Sequence, residues 1–403
     1  MGKTNDWPKR EVSSVTNRPV PKKDVVFLTS QYRVQVRELG RDWVDGASDA
    51  WTDLLRQSDA NPVFMSWGWV SSWLETFGDK TDARILGLYE GDHLVALVPL
   101  CAKRSVATIW GKHLSLAGIE QVGADYSDLL CVQGYETVVA EVVVEWLRQC
   151  NDWTQCEFLD VLPNSMVRRV AKLMIADAVV EDLPGSECPR ASLTGGWQGL
   201  LRDRFDRKRR YNIERQIRLA EEKEGLRLVF HDTPDAIARA FPVLVSLHDE
   251  RKDAQGIKSS FSRPDRRDFH TRAALRLSES RAAFVATLES QRGVVGAAYC
   301  LRDTKNVYYF QTGMSATGAA LGAGSTLLYM LIRWASNQGY EWFDFLKGDE
   351  GYKKPWATDC VEQRIVTVTR TSMHGRMALA LAGGRRVLKH LLSYDMRSEK
   401  VTP

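Results

Sequence analysis

The spacing of apolar side chains divides the chain into two halves that follow one plan. A repeat close to 3.6 residues predicts helices, and alternation of apolar and polar residues predicts strands. In the first half the predicted elements are a strand at 34–39, helices at 43–58 and 66–77, strands at 83–89, 94–103, 106–116 and 128–132, a helix at 135–149, a strand at 155–162 and a helix at 165–176.

The second half repeats this order of helices, a run of strands, a helix and a strand. Its predicted elements are a helix at 205–223, a strand at 226–231, helices at 233–252 and 265–278, strands at 282–289, 293–302 and 306–312, a helix at 324–338, strands at 342–346 and 361–370, and a basic helix at the carboxyl end. We therefore predict two copies of a mixed α/β unit, a repeat inferred from element order alone.

Glycine and proline cluster between residues 182 and 199, which indicates a junction between domains. We predict a disordered polar segment at 1–24, an amino-terminal domain at 25–185 and a carboxyl-terminal domain at 186–403. A length of 403 residues also favours two domains.

Composition excludes several classes of protein. The formal net charge is +4 with 26% charged residues, which is too close to balance for a general nucleic-acid binder. The seven cysteines form no CxxC pair and the seven histidines are scattered, so we predict reduced thiols, a cytoplasmic location and no metal site. No apolar run reaches the roughly 18 residues that suggest a transmembrane segment.

The stretch 307–356 carries the predicted chemistry. A strand runs into a loop with Gly313, Gly318, Gly322 and Gly324, and the loop opens a helix near Ser325. Small residues let backbone N–H groups approach a ligand, and a helix amino terminus attracts anions, so this junction is a candidate phosphate or pyrophosphate site. Neither a Rossmann GxGxxG nor a Walker GK[ST] is present, and a loop that only turns the chain is the alternative.

This chain resembles the GNAT superfamily, and within it the cellulose-biosynthesis-type acetyltransferases, tandem-GNAT proteins related to the Fem peptidoglycan aminoacyltransferases. The segments that carry the resemblance are FDFLKGDEGYKKPW at 343–356, which includes Asp349, LGAGSTLLYMLIRWA at 321–335, LHDERKDAQG at 247–256 with Phe269-His270, and RKRRYNIERQIRLAEE at 207–222. The loop lacks a clean Q/RxxGxG/A form.

The resemblance implies an acyltransferase with tandem GNAT-like domains. Acetyl-coenzyme A or another acyl-coenzyme A, without a metal, would lie between strands 306–312 and 342–346, and an amine or hydroxyl would attack its thioester directly. The implied pyrophosphate ligands are Leu321, Gly322, Ala323, Gly324, Ser325 and Thr326. The implied acceptor is a small molecule or a saccharide of polysaccharide or cell-envelope metabolism.

Three residues are candidates for catalysis. Asp344 lies in an apolar strand, where burial raises a carboxyl pKa toward that of a useful base, or it is a structural acid bonded to the backbone, Lys347 or Lys353. His248 is a candidate base or a packed helix residue. Lys353 is a candidate for neutralising phosphate or a solvated lysine.

Candidate substrate-binding residues are Arg207, Arg210, Tyr211, Arg251 and Tyr352. The basic helix face at 207–218 suits an anionic acceptor, or it is a charged solvent face. The run 125–128 is a weaker candidate for lining a cleft between the halves. Two other functions stay open: a Fem-like transferase that takes aminoacyl-tRNA, and a non-catalytic scaffold of a polysaccharide export system.

Overall fold

The structure is a computed structural model that describes residues 24–28, 33–103, 111–119, 121–291, 293–348, 350–372 and 375, without the side chains of 24–28. The predicted disordered segment 1–24, apart from Asp24, lies outside these residues. So do the start of the strand predicted at 106–116, the basic helix at the carboxyl end, and Asp349.

Eleven α-helices occur in the described part of the chain. They are α1 (Arg41–Gly46), α2 (Ser48–Arg56), α3 (Trp67–Phe77), α4 (Glu136–Gln149), α5 (Met166–Leu173), α6 (Gly196–Arg204), α7 (Arg207–Glu222), α8 (Pro234–Ala254), α9 (Pro264–Glu279), α10 (Ala316–Ala320) and α11 (Ala323–Asn337). Side-chain oxygens of Ser66, Ser165, Asp206 and Thr233 accept backbone hydrogen bonds at the starts of α3, α5, α7 and α8, so capping chemistry sets these boundaries.

The strands belong to one large mixed sheet. They are β1 (Asp24–Leu28), β2 (Arg33–Leu39), β3 (Asp82–Glu90), β4 (His93–Lys103), β5 (Lys112–Leu116), β6 (Leu130–Cys131), β7 (Trp153–Val161), β8 (Ala178–Ser192), β9 (Arg227–His231), β10 (Ala283–Ser290), β11 (Gly293–Arg302), β12 (Asn306–Met314), β13 (Trp342–Asp344) and β14 (Asp359–Arg370). Their order is β1-β2-β3-β4-β5-β7-β14-β8-β13-β12-β11-β10-β9, and β6 pairs with β4.

The two halves of the sheet show the predicted repeat. Each contains an antiparallel run that ends in a parallel pair, β5 with β7 in the first half and β12 with β13 in the second. The mixed α/β class and the predicted repeat of one unit are therefore confirmed. The last strand, β14, returns to pair with β7 and β8 and joins the two halves.

The glycine- and proline-rich segment 182–199 lies partly in the long strand β8, up to Ser192, and partly at the start of α6. The register of β8 against β14 shifts between Pro184, which pairs with Arg364, and Glu187, which pairs with Glu362, so that Gly185 and Ser186 lie opposite Gln363. Proline is tolerated at such a bulge because it has no N–H to contribute to the ladder, and a Cβ on Gly185 would lie 3.0 Å from the Gln363 carbonyl oxygen. The division at 185/186 stays a prediction.

Two further local predictions were wrong. The helix expected at 43–58 is two helices, α1 and α2, which meet at Ala47. The short helix α10 lies inside the glycine-rich loop, where Ser315 caps it by accepting from the Gly318 N–H. Glycine lowers helix propensity, so periodicity alone gives no signal for this turn.

Two layers of helices cover the second half of the sheet. Val285, Tyr299 and Tyr308 face α8, α9 and the first half of the chain. Their neighbours in sequence face α6, α7 and α11, as the period of two requires. The Trp69 and Phe269 rings, from α3 and α9, meet edge to face with centroids 4.9 Å apart, so one hydrophobic core spans both halves.

Candidate active site

The candidate site forms where β12 and β13 part. The two strands pair only from Asn306 to Tyr308 and from Trp342 to Asp344; β12 then continues to Met314. The register of β12 against β11 skips Phe310, since Tyr299 pairs with Gln311 and Cys300 with Tyr309. Such a bulge leaves one residue out of the ladder and opens space beside the strand.

Two cavities adjoin at this point. The glycine-loop cavity, about 350 Å³, is lined by residues that include Gly324 and Ser325. The polar cavity, about 360 Å³, is lined by residues that include Asp125, His248, Lys347, Glu350 and Lys353. Four residues line both cavities: Arg251, Tyr309, Thr312 and Tyr352.

The amino terminus of α11 faces the glycine-loop cavity. Gly322 precedes it with φ of 67°, a left-handed conformation that favours glycine, and no side chain caps the helix. The Gln216 Nε2 of α7 donates to the Ser325 Oγ at 2.8 Å and the Thr326 Oγ1 at 2.9 Å, which holds the first turn. The uncapped N–H groups of this turn suit an anion.

The six predicted loop residues differ in their placement. Gly324 and Ser325 line the cavity, Ala323 and Thr326 are buried, Gly322 sets the turn, and Leu321 is exposed. Their contact with a coenzyme stays a prediction.

Asp344 is buried and lies between backbone and a tyrosine from the first half of the chain. It accepts hydrogen bonds from the Tyr126 hydroxyl and the Leu346 N–H, each at 2.7 Å. Burial raises the pKa of Asp344 to about 7, although these two hydrogen bonds oppose the shift. Its described partners include neither Lys347 nor Lys353, and its side chain lines neither cavity.

Lys347 links the two halves at the wall of the polar cavity. Its ammonium donates to the Ala124 carbonyl oxygen and the Asp160 carboxylate, both at 2.6 Å, and lies 3.5 Å from Asp125. Burial opposes the charged form, but the two carboxylates raise the pKa of Lys347. Burial raises the pKa of Asp125, which also accepts from the Gln363 Nε2 at 3.0 Å.

Three non-glycine residues with positive φ meet at this link: Tyr126, Asp160 and Leu346. Strained backbone of this kind persists where the surroundings hold it in place. Of the run 125–128, Asp125 lines the polar cavity, whereas Asp128 accepts from the N–H groups of Met166 and Val167 at the start of α5.

Lys353 is buried in the wall of the polar cavity, so it is not a solvated lysine, and its role in neutralising phosphate stays a prediction. Its ammonium lies 2.8 Å from the Glu350 carboxylate and donates to the Lys347 carbonyl oxygen at 2.9 Å. It therefore ties together the turn that follows β13. The neighbouring Tyr352 is partly exposed, and burial of its hydroxyl raises its pKa.

His248 lies on α8 against the polar cavity. Its Nδ1 is 2.9 Å from the Ser259 Oγ, and only 1% of the residue is exposed. Burial lowers the pKa of His248 to about 4, so the imidazole is neutral at neutral pH.

The basic helix α7 presents a different arginine from those expected. Arg207 and Tyr211 are exposed, and Arg210 donates to the Phe205 carbonyl oxygen at 3.1 Å. Arg209 lines the glycine-loop cavity instead. It lies seven residues before Gln216 and so on the same helix face, a signal that the sequence contains.

Residues 207–354 match the family model of the acetyltransferase (GNAT) domain. The second half of the chain carries a GNAT-type acyltransferase domain. The match includes α7, α8, the glycine-rich loop, α11 and most of the turn after β13, and therefore every residue that lines the glycine-loop cavity except Pro355 and Trp356. No group of metal-ligating side chains occurs in the part of the chain that the structure describes.

Solved structures show the same fold over most of the chain. FemX aligns with a TM-score of 0.55 at 10% identity, covering 82% of this chain and 96% of its own. A conserved protein of unknown function from Bacteroides thetaiotaomicron aligns with a TM-score of 0.53 at 11% identity, covering 83% of this chain and 99% of its own. The carboxyl-terminal domain of a putative lysylphosphatidylglycerol synthetase from Agrobacterium fabrum aligns with a TM-score of 0.52 at 12% identity, covering 83% of this chain and 96% of its own.

These identities support a shared fold and no more. No curated protein matches the chain in sequence. None of the described helices has the length and apolar character needed to cross a membrane.

Proposed function

We propose that this chain transfers an acyl group, acetyl in the first instance, from acyl-coenzyme A to an amine or hydroxyl of a polysaccharide or cell-envelope precursor. The observation that carries the proposal is the pair of adjoining cavities at the parting of β12 and β13, with the uncapped amino terminus of α11 at one of them. We assign the glycine-loop cavity to the donor and the polar cavity to the acceptor.

In the donor cavity, the N–H groups of 323–325 bind the pyrophosphate, and Arg209 adds positive charge at its edge. The acyl thioester lies along β12 beside the bulge at Phe310. An N–H freed from the ladder there stabilises the oxyanion that forms when the acceptor attacks the carbonyl carbon.

In the acceptor cavity, His248 takes the proton of the attacking group. Its neutral imidazole is available as a base at neutral pH, and Ser259 orients the ring. Asp344 and Lys353 were both predicted to be catalytic. In this proposal they do not contact the reacting groups but stabilise the turn after β13 by hydrogen bonds to its backbone. The cellulose-biosynthesis-type subfamily remains part of this proposal.

We place the reaction in the cytoplasm. The seven cysteines are unpaired, six of them buried or partly buried, as is usual for proteins of a reducing compartment.

Calorimetric titration with acetyl-coenzyme A and longer acyl-coenzyme A compounds tests the donor. We expect binding at one site per chain. The variant Gly324→Leu fills the cavity next to Met314 and is expected to weaken binding at least tenfold. The matched control, Asn337→Leu, adds the same side chain at the exposed far end of α11 and is expected to bind normally.

Absence of binding by the wild-type chain would remove the donor assignment and leave the aminoacyl-tRNA and scaffold alternatives. Wild-type affinity in the folded Gly324→Leu variant would show that the coenzyme lies elsewhere. Circular dichroism of both variants establishes that any loss of affinity is not a loss of fold.

A further inference from the structure

The charges around the polar cavity do not balance. Its two acids each have a lysine nearby: Asp125 is 3.5 Å from Lys347, and Glu350 is 2.8 Å from Lys353. The other two cationic residues in its wall, Arg251 and Lys252, form no ion pair with any described residue. The cavity therefore carries an excess of positive charge at the end formed by α8.

Arg251 is oriented by one hydrogen bond. Its Nη1 donates to the Thr312 Oγ1 at 2.7 Å, which fixes the guanidinium at the boundary between the two cavities. Its Nε is buried and has no partner in the described part of the chain. A buried donor without an acceptor costs about 1–3 kcal/mol, so such a group is a candidate for meeting a ligand.

The free part of this guanidinium has a definite shape. A guanidinium binds a carboxylate or phosphate side-on through two parallel N–H groups, and one of its edges consists of Nε and Nη2. Thr312 accepts from Nη1, and Nε on that edge has no acceptor in the described part of the chain. Lys252 adds a second positive charge on the adjacent position of α8.

We propose that the acceptor is anionic, and that the Nε–Nη2 edge of Arg251 binds its carboxylate or phosphate group while the accepting group faces the thioester. This inference rests on the proposed function, since it assigns the acceptor's charge within the same site. Arg251 is then a specificity-determining residue: it selects acceptors by an oxyanion beside the group that is acylated, and Lys252 strengthens the attraction.

Three sugars with one parent structure test the proposal: glucosamine, muramic acid, which adds a carboxylate, and glucosamine 6-phosphate. Calorimetric titrations are made with and without coenzyme A. We expect the wild-type chain to bind at least one of the two anionic sugars at least tenfold more tightly than glucosamine. The anionic sugar that binds more tightly shows whether carboxylate or phosphate is the preferred group.

The variants isolate the guanidinium edge. Arg251→Met is expected to abolish the preference for the anionic sugar, and Arg251→Lys, which keeps the charge but loses the fork, to retain only part of it. The control Arg239→Met removes an exposed arginine from the same helix and is expected to keep the full preference. Acetyl-coenzyme A affinity is expected to change less than twofold in all three variants.

An Arg251→Met variant that keeps the full preference for the anionic sugar would overturn the inference, and so would either of two other results. One is a wild-type chain that prefers neither anionic sugar, including the case in which no sugar binds. The other is an Arg251→Met variant that loses acetyl-coenzyme A instead, because the edge would then serve the donor. Failure of the wild-type chain to bind any acyl-coenzyme A would refute the proposed function separately, while the sugar titrations without coenzyme A remain readable.

Discussion

Replacing Asp344 with asparagine is predicted to stabilise the protein above neutral pH. The carboxyl group is buried, and its pKa is raised from the ordinary value of 3.8 to about 7. Asparagine has nearly the same shape, can accept from the Leu346 N–H as the carboxyl does, and carries no charge to bury.

The sign follows from proton linkage. The folded chain holds this proton more tightly than the unfolded chain, so the stabilisation is complete below the unfolded pKa and is lost as pH rises through the folded pKa. The stabilisation by the bound proton is therefore lost between about pH 4 and about pH 7. At about 1.4 kcal/mol per pKa unit, the whole loss is roughly 4 kcal/mol, of which roughly 2–3 kcal/mol falls between about pH 5 and pH 8.

The assay is urea denaturation of the wild-type and Asp344→Asn chains at a series of pH values. We expect the free energy of unfolding of the variant, relative to the wild type, to increase by roughly 2–3 kcal/mol from about pH 5 to pH 8. If the difference in free energy of unfolding between the two chains does not change with pH, the reasoning is refuted. Asp344 would then be ionised at every pH tested and sufficiently stabilised by its hydrogen bonds from Tyr126 and Leu346.

Three further substitutions test the neighbouring assignments. Tyr126→Phe removes a hydrogen bond that lowers the pKa of Asp344. We therefore expect urea denaturation to show a free energy of unfolding about 1–3 kcal/mol lower at pH 8 and almost unchanged at pH 5. Equal losses at the two pH values would contradict this reasoning. Lys353→Met removes the ammonium that binds two backbone carbonyl oxygens and the Glu350 carboxylate, and we expect it to lower the free energy of unfolding by about 1–3 kcal/mol. The control Lys354→Met replaces an exposed neighbour and is expected to lower it by less than about 0.5 kcal/mol. Similar urea midpoints for the two variants would contradict the buried role of Lys353. His248→Gln is expected to lower the rate of acyl transfer about 10²- to 10⁴-fold in steady-state kinetics without changing acetyl-coenzyme A affinity, and a wild-type rate would exclude it as the base.

Much of the fold was predictable because local signals agree along the chain. Periodicity and capping residues predicted the helices that became α3, α4, α7, α8, α9 and α11, and the strand boundaries at 293–302 match β11. The glycine-rich loop before α11 was predictable for the same reason, since Gly322 adopts the left-handed backbone that its residue type favours.

The segment β8 shows the limit of such reasoning. Prolines and glycines gave it the local character of a linker, yet it lies in the middle of the sheet between β13 and β14. Pairing with strands distant in sequence overrode the local preference, and a bulge opposite Gln363 absorbed the residues that fit poorly.

The candidate site divides in the same way. The residue types of 321–326, 344–353 and α8 were recognisable in the sequence, and they determined the acyltransferase class through the motifs they form. Which side chains meet was not recognisable: Asp344 bonds to Tyr126, Lys347 to Asp160, and Arg209 rather than Arg207 faces the cavity. Hydrogen bonds and ion pairs between the halves join residues 187 and 218 positions apart, and backbone periodicity carries no information about such pairs. Only the packing of the two halves decided them, because burial imposes a partner on each charged group and the fold determines which groups are within reach.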